Sequence, residues 1–236
     1  CGLYTACSGN GNTGNSDGQD IPKVDDSQLA YHNPVIRIAA PDPTAMRAKD
    51  GYFYLYATED IRNLPIFRSR DMVKWEEIGT AFTDETRPDF LPDNKDVKER
   101  AHLWAPEIRY VKGKYVLFYS LAQWGNHWVS TDGYAGPFTP KGKVFDSREV
   151  NVENSIDQYF YEEDGKYYML WGSFFGIYIM ELDVTDDVMI TPKLDTKRQI
   201  AGNAYEGINL WKRDGYYYLI GSIGSCCEGQ KSTYTT

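Results

Sequence analysis

Three carboxylates each lie eight or nine residues before the turn glycine of a repeated unit: Asp42, Asp157 and Glu206. Carboxylates that converge in space repel one another, and their pKa values then separate, so that one group can act as an acid and another as a base. Inverting hydrolysis of a glycoside requires such a pair about 6.5–9.5 Å apart, with room for a water. The pattern therefore indicates acid–base chemistry on a sugar, and the alternative is that these acids cap turns at strand ends.

The repeated unit is a strand–turn–strand segment with four copies, at 43–58, 106–120, 158–173 and 208–222. The corresponding turn glycines are Gly51, Gly113, Gly165 and Gly215. An Asp-Gly or Lys-Gly pair between two alternating runs predicts a tight hairpin, because Gly adopts the positive φ that such turns need. The glycines are 62, 52 and 50 residues apart, which is typical of propeller blades. Since the inner strands of blades surround a central channel, the three acids are expected to converge there.

The second copy carries Trp104 where the other copies carry an acid, nine residues before its turn glycine. An indole ring in the channel would offer an apolar face to a sugar ring. Trp104 is therefore predicted to bind substrate.

The composition favours an all-β domain and excludes several classes of function. Aromatic residues make up 15% of the chain, and they suit pleated, half-buried surfaces. No stretch after residue 28 has sustained helical periodicity, and no apolar run approaches the length of a membrane span. The net charge of −9 argues against nucleic acid and polyanionic partners and fits a neutral ligand. The three histidines and four cysteines form no metal-binding pattern.

The first 28 residues are predicted to lie outside the folded domain. A Leu-Tyr-Thr-Ala-Cys run ends at Cys7 and resembles a bacterial lipoprotein signal, in which the Cys becomes lipidated. The polar tract 8–20 would then be a flexible tether. The alternatives are a chance Cys in a disordered leader and Cys1 as the first mature residue. We expect residues 1–28 to be a signal remnant and linker, 29–236 to be one domain, and the protein to be extracellular, periplasmic or anchored at the surface of a bacterium.

Six motifs resemble, in order, those of glycoside hydrolase family 43: PDPTAM (41–46), LWAPEIRY (103–110), NSID (154–157), GSF (172–174), YEG (205–207) and GSCCEGQKSTY (224–234). The last motif is most similar to the endo-1,5-α-L-arabinanase branch. The resemblance implies a five-bladed β-propeller and hydrolysis with inversion at the anomeric carbon. The sequence contains about four blades, so the C-terminal part of the propeller is expected to be missing.

The resemblance also implies a role for each acid. Asp42 would be the general base that activates water, and Glu206 the general acid that protonates the leaving oxygen. Asp157 would raise the pKa of the acid and hold it in position. The sugar-contacting positions that the family motifs imply are Gly125, Asn154, Ser155, Ile156, Ser173, Phe174 and Phe175. Ordinary packing is the alternative for Gly125 and the two phenylalanines.

The substrate and partner implied by the resemblance is arabinan, the α-1,5-linked plant cell-wall polysaccharide, with no organic cofactor. A metal ion, commonly calcium, is implied on the propeller axis near a His of the final blade, and that blade is the part expected to be missing here, so the resemblance assigns the ion no ligand in this sequence. Cys226 and Cys227 would form a vicinal disulfide or remain as thiols beside the sugar site. The sequence departs from the family pattern at Pro41, often His, and at Gln158, often Pro.

Two other functions fit the same residues. One is an exo-acting α-L-arabinofuranosidase or β-xylosidase, because loop sequences do not distinguish an open groove from a closed pocket. The other is a non-catalytic propeller that binds glycans at the cell surface. Retention of all three acids favours an enzyme over a binding protein.

Overall fold

A computed structural model describes five stretches of the chain: 31–88, 102–122, 125–131, 133–224 and 233–235. Within these stretches the chain forms β-strands and turns, with one short 3-10 turn and no α-helix. This part of the chain contains no helix that is long and apolar enough to cross a membrane. The predicted all-β class is confirmed.

The strands form four antiparallel sheets that follow one another along the chain. The first sheet contains β1 (Thr44–Arg47), β2 (Phe53–Tyr56), β3 (Pro65–Ser69) and β4 (Glu76–Thr80). The second contains β5 (Leu103–Val111), β6 (Lys114–Leu121), β7 (Gly125–Thr131) and β8 (Thr139–Asp146). The third contains β9 (Tyr159–Glu163), β10 (Lys166–Trp171), β11 (Ile177–Val184), β12 (Ile190–Pro192) and β13 (Arg198–Ala201), the last two both pairing with β11. The fourth contains β14 (Tyr205–Arg213), β15 (Tyr216–Ile223) and β16 (Thr233–Thr235).

Three of the four predicted hairpins have two-residue turns, at 112–113, 164–165 and 214–215. Both residues of each turn have positive φ, between 45° and 88°, as a type I′ turn requires. The first hairpin differs, because Arg47 pairs with Phe53 and leaves a loop of residues 48–52 between the strands. Because of this longer loop, residues counted back from the turn glycine of the first hairpin do not match residues counted back by the same number in the other three hairpins.

Consecutive sheets pack face to face, so each of the two middle sheets is covered by a neighbour on both faces. In β6, Leu117 and Tyr119 pack with side chains of the first sheet, whereas Val116 and Phe118 pack with side chains of the third. All four are fully buried, as the period of two in a strand requires for a sheet covered on both faces. A third apolar cluster, which includes Leu170, joins the third sheet to the fourth.

The first strand of each sheet contacts the first strand of the next: β1 contacts β5, β5 contacts β9, and β9 contacts β14. This arrangement of successive meanders is that of blades in a β-propeller, with the first strands innermost. The loops that enter these inner strands therefore meet at one end of the central channel.

Candidate active site

The inner strands share a left-handed residue at or near their beginning. Its φ lies between +42° and +60° in all four sheets, at Asp42, Ala105, Asp157 and Gly207. In each sheet it lies two residues before the point at which regular pairing with the next strand begins or resumes after a bulge. These four residues are therefore structurally equivalent, and two of them are Asp42, the predicted base, and Asp157, the residue predicted to modulate the acid.

Glu206 does not occupy the same position as Asp42 and Asp157. It lies one residue before the left-handed residue of its strand, as Trp104 does in β5. The prediction that all three acids share one repeat position was wrong for Glu206. Counting back from the turn glycines misplaced it, because the left-handed residue lies nine residues before the glycine in the first hairpin but eight residues before it in the other three.

Asp157 and Glu206 have raised pKa values for related physical reasons. Asp157 is partly buried. Its burial and the charges of Glu206 and Asp42 raise its pKa to about 8. The Gly207 N–H donates a hydrogen bond to Asp157 Oδ2 at 3.2 Å, and this bond acts in the opposite direction by lowering the pKa. Burial also raises the pKa of Glu206, and the charge of Asp42 adds to this. The Ser173 hydroxyl opposes the shift by donating to Glu206 Oε2 at 3.1 Å. The inner strands that carry the three carboxylates contact one another in turn, and the charges of Glu206 and Asp42 act on Asp157, so the three predicted carboxylates converge.

Asp42 has a different environment from the other two acids. Its side chain is exposed, and Thr58 Oγ1 donates a hydrogen bond to Asp42 Oδ2 at 2.6 Å. The site therefore combines an exposed carboxylate with a half-buried pair that resists losing its protons. Such a division of environments can supply a base and an acid at the same pH.

Replacing Asp157 with Asn is expected to stabilise the fold, by an amount that increases with pH. In the unfolded chain Asp157 ionises near its ordinary pKa of 3.8, whereas in the folded protein it keeps its proton up to about pH 8. Folding of the wild type is therefore penalised increasingly as pH rises between these values, and Asn carries no such penalty. After a discount for partial exposure, the gain should be about 1 kcal/mol at pH 8, or about 2–4 °C in Tm. Thermal unfolding of both proteins at several pH values measures this difference, and a gain that shrinks as pH rises would contradict it.

A fourth carboxylate, Glu107, lies on β5 two residues after Ala105. It is buried, it accepts a hydrogen bond from Thr44 Oγ1 at 3.0 Å, and it is paired with Arg109. Burial raises its pKa to about 7, although Arg109 acts in the opposite direction. The Arg109 Nε–H also donates to the Phe160 carbonyl at 3.1 Å, so this group ties the first three sheets together. Because Glu107 is enclosed, it is suited to a structural role and not to contact with a sugar.

The predicted aromatic contacts lie at the partly open surface around the acids. Trp104 is half-buried, and its ring is stacked on that of His102, with ring centroids 6.5 Å apart and planes 9° apart. Phe174 is half-buried, and its N–H donates to the carbonyl of Tyr205, the residue before Glu206, at 2.9 Å. Phe175 is 41% exposed. These rings have surface available for a sugar, and their binding role stays a prediction.

The residues of the NSID motif differ in how much surface they offer. Asn154 Nδ2 donates a hydrogen bond to the Ser173 carbonyl at 3.2 Å. It thereby helps to position Ser173, whose hydroxyl donates to Glu206. Ser155 is fully buried, and its hydroxyl donates to a backbone carbonyl and accepts from the Trp171 indole. Ile156 is also buried. The side chains of Ser155 and Ile156 therefore support the loop that carries Asp157, and a sugar contact from them remains untested.

Gly125 has a packing reason to be glycine. It is buried with φ of +138°, and a Cβ atom there would lie 2.6 Å from Asp146 Cα. The close approach of β7 to β8 thus requires glycine without reference to a ligand. Its predicted sugar contact likewise stays a prediction.

Sequence reasoning missed the polar residues that connect the inner strands. Thr58 is one, and a second is Gln158, which accepts from Ser120 Oγ at 2.8 Å and donates to the Ala105 carbonyl. The missed signal was in the repeat itself, because Thr58, Ser120 and Ser222 each lie seven residues after a turn glycine. A short hydroxyl side chain at that position faces the start of an inner strand.

No group of three or more His, Cys, Asp or Glu side chains able to hold a metal occurs in the described part of the chain. These residues do not by themselves build the calcium site that the family resemblance implies, and the mechanism below uses no metal. Cys7, Cys226 and Cys227 lie outside the described residues. Lipidation of Cys7 and the state of the Cys226–Cys227 pair stay predictions.

Proteins of known activity resemble this chain over most of its length. It is 31% identical over 207 residues to an extracellular endo-α-(1→5)-L-arabinanase of Bacillus subtilis (strain 168), covering 82% of this chain and 62% of that protein. It is 30% identical over 221 residues to an extracellular exo-α-(1→5)-L-arabinofuranosidase of Cellvibrio japonicus (strain Ueda107), covering 82% and 61% respectively. The chain thus spans about three fifths of the length of these relatives.

The fold agrees with solved structures of the same kind. A native arabinanase of Bacillus subtilis superposes with a TM-score of 0.66 at 28% identity, over 84% of this chain and 72% of that one. Such arabinanases are five-bladed β-propellers, so the four sheets are blades of that fold, as predicted. The model of the glycosyl hydrolases of family 43 matches residues 31–236. The chain therefore belongs to glycosyl hydrolase family 43.

Proposed function

We propose that this protein hydrolyses α-1,5-linked L-arabinan by inversion, with Asp42 as general base, Glu206 as general acid and Asp157 as the group that tunes and positions the acid. The observation that carries the proposal is the convergence of three carboxylates with unlike environments at the channel end. Glu206 and Asp157 have raised pKa values, whereas Asp42 is exposed to water. Membership of a hydrolase family and the arabinan-degrading relatives support the choice of reaction and substrate.

In this mechanism Asp42 removes a proton from a water molecule as the water attacks the anomeric carbon. The bond from that carbon to the glycosidic oxygen breaks, and Glu206 transfers its proton to the departing oxygen. The products are a new reducing end of inverted configuration and a free hydroxyl on the leaving sugar. Asp42 ends protonated and Glu206 ionised, and exchange with solvent restores both groups.

Burial and the charge of Asp42 raise the pKa of Glu206, and Asp157 is not among the causes of that shift, so the role we propose for Asp157 is chiefly to position the acid. With a pKa of about 8, Asp157 is mainly neutral at neutral pH. Asp157 accepts a hydrogen bond from the N–H of Gly207, the residue after Glu206. This contact also fixes the backbone that carries the acid. Because the neutral form of Asp157 carries no charge, it does not repel the charge that Glu206 carries after giving up its proton.

The aromatic surface near the acids supports a sugar polymer as substrate. Trp104, Phe174 and Phe175 retain exposed ring surface on the rim of the site. Flat apolar rings stack against the C–H faces of sugars without any charge on the ligand. A neutral polysaccharide also suits a chain of net charge −9.

The second candidate activity is exo-acting release of single arabinose units. It is favoured by the Cellvibrio japonicus relative, which is named as an exo-acting enzyme and is nearly as similar as the endo-acting one. Both activities use the same carboxylate chemistry and differ in whether the substrate passes through a groove or ends in a pocket. The same two relatives are named as extracellular, which supports an extracellular location for this protein, and anchoring through Cys7 is a separate proposal from the sequence.

Product analysis of the full-length protein on debranched linear arabinan, beside xylan and aryl glycosides, tests the function. A ladder of short arabino-oligosaccharides is expected for endo action, whereas arabinose or xylose alone would identify the exo alternative. Nuclear magnetic resonance during the first minutes should show the β-anomer, because inversion converts an α-linkage to a β-product. Retained glycan binding with no product from any substrate would overturn the enzymatic proposal in favour of a binding protein.

A further inference from the structure

Thr58 lies at the end of the first repeat and connects the first blade to the second. It is only 8% exposed, and its hydroxyl makes two hydrogen bonds at once. Oγ1 donates to Asp42 Oδ2 at 2.6 Å and accepts from the backbone N–H of Ala105 at 2.7 Å. Ala105 belongs to the inner strand of the neighbouring blade. A single side chain therefore joins the proposed base to the adjacent strand.

The next residue extends the same connection. The Glu59 N–H donates to the Leu103 carbonyl at 3.1 Å, and Glu59 Oε1 accepts from the Leu103 N–H at 3.1 Å. Glu59 is buried, and Arg87 holds it through a pair of hydrogen bonds, one of them 2.6 Å long. One oxygen of the Glu59 carboxylate thus holds β5 at Leu103, while Arg87 donates to both oxygens.

These contacts hold the backbone on both sides of Trp104. Leu103 is held through Glu59, and Ala105 is held through Thr58. Ala105 has φ of +42°, a conformation that costs energy for a residue with a Cβ and persists only where the surroundings impose it. The position of Trp104 relative to Asp42 is therefore set by Thr58 and Glu59 together.

We propose that Thr58, supported by Glu59, is a positioning residue that fixes the carboxylate of Asp42 relative to the Trp104 segment of the next blade. The inference rests on the proposed function, in which Asp42 activates the attacking water beside a sugar bound on Trp104. Because a hydroxyl oxygen both donates and accepts, the single Oγ1 atom of Thr58 can donate to Asp42 and accept from Ala105 at the same time. Valine has a similar shape but can make neither bond.

The test compares Thr58→Val with Thr58→Ser and wild type in the full-length protein. In crystal structures of the three, Thr58→Val is expected to displace the Asp42 carboxylate by about 1 Å, and a displacement of this order can reduce turnover about 100-fold. We expect kcat on linear arabinan to fall about 10- to 100-fold in Thr58→Val, with KM changed by less than about threefold. Thr58→Ser retains the hydroxyl and should recover most of the lost kcat.

Substrates with a good leaving group sharpen the test. Because Thr58 acts through the base and not through the acid, Thr58→Val should lose as much kcat on an activated aryl arabinofuranoside as on arabinan. Thr196→Val is the matched control, since Thr196 Oγ1 also accepts a backbone N–H and donates to a carbonyl, but in the outer part of the third blade. Its kcat should match that of wild type.

Three results would overturn the proposal: an Asp42 carboxylate that stays in place in Thr58→Val, a kcat that stays within twofold of wild type, or a Thr58→Ser variant as impaired as the valine variant. Failure of the proposed function looks different. Wild type would then hydrolyse none of the glycans, while the crystallographic comparison would still decide whether Thr58 holds Asp42.

Discussion

Glu206→Ala is expected to reduce kcat/KM on linear arabinan by about 10²- to 10⁴-fold, the range typical of losing a general acid. The same variant should lose less than about tenfold on an aryl arabinofuranoside whose phenol departs without a proton. The reason is that protonation matters only where the leaving oxygen is a poor leaving group. Hydrolysis rates of both substrates by wild type and variant measure the contrast.

The pH profile gives an independent check on the same residue. Burial and the charge of Asp42 raise the pKa of Glu206, so its proton is retained to higher pH than in a free glutamate. The wild-type rate on arabinan should fall as pH rises through that pKa, and this alkaline limb should be absent from the residual activity of Glu206→Ala. Glu162→Ala, an exposed glutamate on the inner strand of the neighbouring blade, is the control and should keep wild-type rates. Equal losses on both substrates would show that Glu206 is not the acid.

Asp42→Asn is expected to lose about 10²- to 10⁴-fold in kcat on both arabinan and the activated aryl substrate. A base acts on the attacking water, and a better leaving group cannot replace it. Asn is the right substitution because Asp42 has φ of +47°, which asparagine tolerates far better than alanine. The amide also keeps an oxygen that can accept the Thr58 hydrogen bond, so the change removes the base with little disturbance of the site.

Azide separates loss of the base from general damage. The azide anion attacks without losing a proton, so it should raise the rate of Asp42→Asn on the aryl substrate and yield a glycosyl azide. Asp164→Asn is the matched control, because Asp164 is exposed and also has positive φ, 51°, but lies in a hairpin turn. Recovery of Asp42→Asn activity by a better leaving group alone would contradict the assignment of the base.

Much of the architecture was predictable because its causes are local. A period of two in apolar residues and a glycine with positive φ define a hairpin within about fifteen residues, and the turns at 112–113, 164–165 and 214–215 were correct. The recurrence of that hairpin predicted blades, and the blades predicted that distant acids would meet. The repeat singled out the three acids as candidates, although Glu206 lies one residue from the position of the other two, and the charges of Glu206 and Asp42 do act on Asp157.

The register of the site was not predictable by counting. The first hairpin has the five-residue loop 48–52 where the others have two-residue turns, and only backbone pairing shows that Asp42 matches Ala105 and Asp157 while Glu206 matches Trp104. Side chains alternate between faces along a strand, so a difference of one residue changes which way a side chain is directed. The partners of the acids depend on this register.

The sequence by itself determined the all-β repeat and its hairpins, because these follow from residue types and short spacings, and it singled out the three acids as candidates. Only the tertiary structure decided the ionisation of Asp157 and the linking role of Thr58. A pKa near 8 arises from burial and from charges contributed by other blades, and a hydroxyl becomes a link only when an atom 47 positions along the chain lies within hydrogen-bonding distance. Both depend on distances between residues remote in sequence, which no local pattern encodes.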